Sequence, residues 1–441
     1  MAKNKDSDDI VIDFSFFKKK KTKKSQTNNL RQKSSKKDDD ITLDASKILN
    51  FLSKYGVYLL VLIPIIISAQ IRLAPAELEI ANDWTRQGII NNLRATVTNQ
   101  INQQYPNLPE QNKNALIDQQ LNSVISQQQA QINQAIQQQS DLLREQFKDT
   151  DGTTYLGDID SYFWTRYARN IIEKGTYGDE VVDGKQIDTH MRAPLGLVVK
   201  PTMYPYIEAY LYKFLKIFNQ DINLLRVAYL TPFYLSIVAI IAAFLIGKKI
   251  SGNLAALVAG VLIAVNPTVL SRSFGSDNDI VNVVFPLIIM LFTMYAFSSK
   301  KINMTAIFAG ITGFFIGVYS FAWSGWWFMF LFLLAASFIY LGYIALIEII
   351  NKGNTIQNLK SNNKVLLIGV FVIVLFISSY ISLGLFGNSQ HFFSIFIKNP
   401  LKIITIQAAS RGTSIWPNVY TTVAELNSAN FDHIIGSLGG K

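Results

Sequence analysis

The chain has no cysteine, which excludes disulfides, thiolate nucleophiles and cysteine-bound zinc together. Three histidines in 441 residues argue against a histidine-rich metal site. Charge is scarce as well. Asp, Glu, Lys and Arg make up 16% of residues, against 49% hydrophobic and 12% aromatic, too little polarity for an ordinary soluble protein. The apolar residues come in blocks rather than on a 3.6-residue period, and a transmembrane helix needs about 20 mainly apolar residues. Spans are expected near Val57 to Ile71, Val227 to Ile246, Leu254 to Leu270, Val281 to Phe297, Thr305 to Phe321, Trp326 to Ile347 and Val365 to Phe386. Only Ser324-Gly325 interrupts the fifth and sixth. The fold class expected is an α-helical polytopic membrane protein.

Lys and Arg are retained in cytoplasmic loops, so their placement predicts orientation. The tail before the first span carries Lys18 to Lys21, Lys23, Lys24, Arg31, Lys33, Lys36 and Lys37, which puts the N-terminus in the cytoplasm. Lys248-Lys249, Lys300-Lys301 and the loop from Asn351 to Lys364 then fall on the same side. The net charge of +10 sits mainly beside the first span, where topology and anionic lipid account for it; no nucleic-acid partner is expected. Residues 1–49 are expected to form a disordered basic cytoplasmic tail, and 50–441 the multi-span region. Its external parts are 72–205, a short stretch at 271–280, and 387–441.

Within the first external loop, 99–147 is rich in Gln and Asn, with Ile117, Leu121, Val124, Ile125, Ile132, Ile136, Leu142 and Leu143 at mostly helical spacing and a break at Pro106 and Pro109. This predicts an amphipathic helical hairpin, more readily a packing or partner-contacting insertion than a chemical site. The following stretch reads Gly157-Asp158-Ile159-Asp160-Ser161-Tyr162-Phe163 and runs into a helical pattern. An Asp there can serve simply as an N-cap. Downstream, His190, Arg192, Lys200 and Tyr204 supply cations and hydroxyls suited to a phosphate head group.

Gly275-Ser276-Asp277-Asn278-Asp279 lies between two long apolar runs. A carboxylate at the edge of a bilayer is costly unless solvated, paired or bound to a cation, and an Asp-x-Asp turn can give two oxygen ligands to one hard divalent ion. A polar loop joining two helices explains the same residues without chemistry. The last external segment contains Trp416-Pro417-Asn418-Val419-Tyr420-Thr421-Thr422-Val423-Ala424-Glu425-Leu426-Asn427.

That run resembles the external-loop motif of the archaeal oligosaccharyltransferase catalytic subunit, with Glu425 in the place of the motif's Glu. GDIDSYF resembles the family's first-loop motif, with Asp160 as its functional Asp, and SDNDIVN its Asp-x-Asp motif, with Asp277 and Asp279. Arg272 resembles a basic residue of that region, and Trp323-Ser324-Gly325-Trp326-Trp327 the family's aromatic-glycine patch. Three acidic motifs in order, separated by spans of the right parity, cover the chain from about Lys47 to Lys441 apart from the Gln-rich insertion.

The resemblance implies a C-type membrane glycosyltransferase architecture with a long first external loop. It implies transfer of an oligosaccharide from a lipid (dolichyl) phosphate carrier to the side-chain amide of Asn in Asn-x-Ser/Thr sequons, with inversion. Asp160 and Glu425 would bind the amide hydrogens; Asp160, Asp277 and Asp279 would hold a divalent cation, Mn²⁺ or Mg²⁺; Arg272, His190 and Arg192 would bind the lipid phosphate. The partners implied are the membrane, the lipid-linked donor and the acceptor polypeptide. The family continues into a globular external domain, so the chain is expected to be its N-terminal membrane part, with a separate C-terminal chain as one way of completing it. Alternatives are another lipid-phosphate-sugar-dependent transferase, or a non-catalytic scaffold or transporter built on such a fold.

Overall fold

The computed structural model describes residues 56, 58–271, 273, 278–352, 362–387 and 392–396. The expected tail at 1–49, Arg272, Asp277 and the Glu425 run lie outside the described residues, whereas Asp160, His190, Arg192 and Asp279 lie inside them.

Helix α1 (Leu62–Leu73) covers the later part of the first expected span, and a 3₁₀ turn at Ala74–Glu77 leads out of it. Three helices follow: α2 (Ile80–Gln104), α3 (Glu110–Gln127) and α4 (Gln129–Gln146). The expected hairpin is therefore α3 and α4, packed on the end of a third helix that begins well before residue 99. Val97 and Ile101 of α2 and Ile117 of α3 form one buried cluster, and Leu121, Ile132 and Ile136 are buried as their spacing requires. Pro109 is the N-cap of α3, where a missing N–H costs nothing.

Next come α5 (Ile159–Glu173), an antiparallel sheet of β1 (Glu180–Val182), β2 (Lys185–Asp188) and β3 (Leu197–Val198), and α6 (Met203–Lys216). The sheet register pairs Val181 with Gln186 and Ile187 with Val198.

Helix α7 (Leu224–Val265) is 42 residues long, about 63 Å at 1.5 Å per residue and so far longer than a ~30 Å hydrocarbon core needs. It is broken at Ser251 and at Gly252, whose φ of 81° suits glycine. The two expected spans are thus two legs of a helical hairpin: a Cβ on Gly247 would meet the Ala255 carbonyl at 2.4 Å, and one on Gly260 would come 3.7 Å from Ile240. After the short α8 (Pro267–Ser271) and a 3₁₀ turn at Asn278–Ile280 come α9 (Val281–Ser298), α10 (Ile302–Ala322), α11 (Trp327–Lys352) and α12 (Asn363–Leu385).

Among the described residues five helices are long and apolar enough to cross a membrane by length and composition. The weakest expected boundary is real: α10 ends at Ala322 and α11 starts at Trp327. The Trp323 ring lies over Gly325, where a Cβ would come within 2.1 Å of it, so the turn closes only with glycine there. Small residues draw α10 and α12 together, since a Cβ on Gly313 or Gly317 would collide with Ser378 or Ser382. Ser382 Oγ donates to the Phe314 carbonyl at 2.9 Å across that seam. In lipid, close packing and interhelical hydrogen bonds of this kind replace the hydrophobic drive.

The helices alternate, so the start of α9, the end of α10, the start of α11 and the end of α12 share one end of the bundle. Tyr319 of α10 donates to Asn282 of α9 at 2.9 Å there, and Phe392, beyond α12, packs edge-on against Phe330 of α11. The described start of the 387–441 segment therefore lies at this end.

Candidate active site

One helix carries most of the described chemistry. Asp158 caps α5, its Oδ1 accepting from the Asp160 backbone N–H at 3.2 Å. This satisfies a first-turn donor that the helix cannot. Asp160, in the first turn, is exposed and no described residue pairs with its carboxylate. The partial positive charge of a helix N-terminus favours that anion. Trp164, one turn further on, packs against the large buried cluster that includes Tyr204 of α6, Ile280 and Val281. Ile280 adjoins Asp279, itself half-buried in the 3₁₀ turn that heads α9. Two of the three acidic motifs are thereby anchored to one apolar cluster, at the end of the bundle reached by α5 and α6.

The other half of α5 faces the small sheet and is saturated. Arg166 Nη1 donates to both oxygens of Asp179 at 2.8 Å, and its Nη2 donates to Asp188. Asp188, fully buried, also accepts from the Tyr167 hydroxyl at 2.5 Å and from the backbone N–H groups of His190 and Met191. Asp179 accepts from Asn170 Nδ2 at 2.9 Å and from the Thr189 backbone, with His190 Nδ1 3.1 Å away. Burial opposes ionisation of both carboxyls, yet these donors outweigh it: those of Tyr167 and Arg166 hold Asp188, and those of Asn170, His190, Thr189 and Arg166 hold Asp179, below the usual carboxylate range.

Asp179, Asp188 and His190 bring ligand atoms within 4.8 Å of one another, a group large enough to hold a metal ion. The Arg166 guanidinium already occupies both carboxylates, so a cation would have to displace it. Asp160 presents a hard oxygen donor without that obstacle, and the carboxylate chemistry of Asp160 and Asp279 suits a hard divalent ion. Of the residues expected to meet a phosphate, His190 stands at the rim of the Arg166 network, its side chain 68% exposed. Arg192 is exposed on the following loop with a φ of 52°.

Sequence reasoning passed over Arg166, Asp179 and Asp188, whose partnership spans a helix and a hairpin. It also stopped the first span at Ile71, one residue short of a buried arginine; a charged residue abutting an apolar run is the signal that could have found Arg72.

The family described as "Oligosaccharyl transferase STT3, N-terminal" matches residues 123–440. The chain belongs to this family. It is 26% identical over 312 residues to the dolichyl-phosphooligosaccharide-protein glycotransferase of Methanococcus voltae, covering 66% of this chain and 33% of that protein. The protein of the same description from Methanocaldococcus jannaschii is 23% identical over 383 residues, with 68% and 41% covered. The chain thus spans about a third to two fifths of the length of these relatives. A crystal structure of the Archaeoglobus fulgidus oligosaccharyltransferase, a complex with Zn and sulfate, aligns at 18% identity over 58% of this chain and 36% of that one, with a TM-score of 0.37.

Proposed function

We propose that the chain is the membrane part of an enzyme that transfers an oligosaccharide from a lipid phosphate carrier to the Asn side-chain amide of Asn-x-Ser/Thr sequons. The reading is supported by membership of the family and, above all, by the common anchoring of the Asp160 and Asp279 segments to one buried cluster. An amide nitrogen is a poor nucleophile because its lone pair is delocalised. Asp160 and Glu425 accept the two amide N–H groups, turning the nitrogen lone pair toward the anomeric carbon. The C1–N bond forms as the C1–O bond to phosphate breaks on the opposite face, which inverts the centre. The phosphate leaves with the bonding electrons, and the amide proton passes to a carboxylate.

Asp160, Asp277 and Asp279 are the residues that would hold Mn²⁺ or Mg²⁺. The ion supplies Lewis-acid stabilisation of the departing phosphate. Arg272, His190 and Arg192 add positive charge on the same oxygens. The N-terminus is cytoplasmic and the site external in this account, following the Lys and Arg bias of the loops.

The test is glycopeptide formation from a labelled Asn-x-Thr peptide and native lipid-linked glycan. Membranes from a host lacking its own transferase carry residues 1–441, with and without a polypeptide supplying the relatives' C-terminal part. Product that disappears with Asp277→Ala and with excess EDTA supports the reading; full product in EDTA removes the cation from it. Product only with the added polypeptide means that this chain supplies the reaction site and its partner the acceptor site.

A further inference from the structure

The geometry points to Arg72 as a phosphate-binding residue, holding the phosphate of an isoprenoid-type lipid with the Nε–Nη2 edge of its guanidinium. Arg72 ends α1 and is 3% exposed. Its Nη1 donates to Ser68 Oγ and to the Ala264 carbonyl, both at 2.9 Å, and Ser68 Oγ is 3.1 Å from Ser236 Oγ. Nε and Nη2 are buried with no hydrogen-bond partner. No ion pair involves this residue among the described ones.

Nη1 has a structural task. The second leg of α7 ends at Val265, where Asn266 leaves helical geometry at φ −60° and ψ 122°. The last carbonyls of that leg lack helical donors, and a cation there also meets the negative end of the helix dipole. A lysine could perform this task through one N–H. The Nε–Nη2 edge contributes nothing to it. That edge is the side-on fork of the guanidinium, two parallel N–H bonds spaced for two oxygens of one carboxylate or phosphate. Leaving it empty in a low-dielectric interior is expensive, and an ionisable group held at membrane depth is a functional candidate by default.

The surroundings select the anion. Arg72 and Ser68 bond to both apolar legs of α7, at Ala264 and at Ser236. An anion that arrives there through the bilayer needs an apolar tail. Because the contacts of Nη1 are neutral oxygens, the site keeps its full positive charge for a phosphate ester. The leg that Arg72 caps is followed in sequence by α8 and then by the 3₁₀ turn that holds Asp279. The inference rests on the reading of a lipid phosphate donor and adds a contact on α1, far in sequence from every acidic motif.

The test measures binding, not transfer. The full chain in nanodiscs, in EDTA and without acceptor peptide, is titrated with farnesyl phosphate, farnesol and inorganic phosphate, alongside Arg72→Gln and Arg72→Lys. Arg226→Gln, which breaks the exposed pair with Glu77, is the control. We expect the wild type and Arg226→Gln to prefer farnesyl phosphate over farnesol, and both Arg72 variants to weaken farnesyl phosphate about tenfold to a hundredfold while leaving farnesol unchanged. Arg72→Lys keeps the charge and the Ala264 contact, so it separates loss of the fork from loss of fold. Farnesyl phosphate affinity unchanged in Arg72→Lys would overturn the proposal, as would equal binding of farnesol. Inorganic phosphate binding as tightly as the lipid overturns the lipid assignment. Transfer failing while binding still depends on Arg72 counts against the proposed function alone; transfer proceeding with binding indifferent to Arg72 counts against this inference alone.

Discussion

The two halves of α5 put the same side chains to opposite uses. At the N-terminus Asp160 is exposed and, among the described residues, unpaired, with only Asp158 spent on the cap. Two turns on, the helix supplies Arg166, Tyr167 and Asn170 to two Asp side chains of the sheet region, which become buried and fully hydrogen-bonded. Saturated carboxylates hold a loop in place because every lone pair has a donor. An open carboxylate on a helix N-terminus is available to a cation or an amide. Ranking the described acidic residues by burial or by metal-ligand count selects the saturated pair Asp179 and Asp188 and passes over Asp160.

The largest effect should come from the open half. Asp160→Ala is expected to lower glycopeptide formation by about 10²–10³-fold, the scale for removing one preorganised electrostatic contact. Its thermal midpoint should stay near that of the wild type, because nothing described is bonded to that carboxylate. A large fall in the midpoint would place Asp160 among the structural residues instead.

Asp188→Asn should invert that pattern. It strips a buried charge from Arg166, a change that typically costs about 3–5 kcal/mol. Hydrogen exchange across β1, β2 and β3 is the readout: protection should collapse there while turnover per folded molecule changes little.

Titration sharpens the contrast further. Asp179 and Asp188 have folded-state values below the usual carboxylate range. Their stabilisation is therefore complete above the unfolded value of about 4 and is lost as the pH falls through the depressed folded values. Protection of the sheet amides should be flat from pH 7 to about 5 and fall below about 4.

Glu208 should behave in the opposite sense. It is fully buried in α6, and burial pushes its carboxyl well above the usual range, against a hydrogen bond with Thr165. A raised carboxyl contributes its stability below the unfolded value of about 4.3 and loses it as the pH rises through the folded one. Glu208→Gln should thus stabilise the protein modestly at pH 7, with the gain shrinking toward pH 4. A thermal-shift series that shows the same gain at both values would contradict this.

How much of this was legible depends on sequence distance. The spans could be read because each is a contiguous apolar block, and even the Ser324-Gly325 boundary is a true helix break, made by Trp323 folding over Gly325. The break inside α7 was marked by Lys248-Lys249 and Gly252. Asp158 as an N-cap was equally local. The Gln-rich insertion yielded its hairpin but not the third helix, since α2 has few apolar residues on a helical stripe until Val97 and Ile101. The partners of Arg166 and of Arg72 were not legible. Arg166 reaches Asp179 and Asp188 across a hairpin, and Arg72 finds Ala264 192 residues away, so nothing beside either residue announces its partner.

The most direct test of the central claim compares Asp160→Ala with Asp188→Asn by glycopeptide formation per folded molecule, in Mn²⁺ and with the relatives' C-terminal part supplied. The account predicts turnover near zero for Asp160→Ala and near the wild-type rate for Asp188→Asn. Wild-type turnover in Asp160→Ala, with loss in Asp188→Asn, would show that the chemistry lies at the buried cluster and that the open carboxylate is incidental.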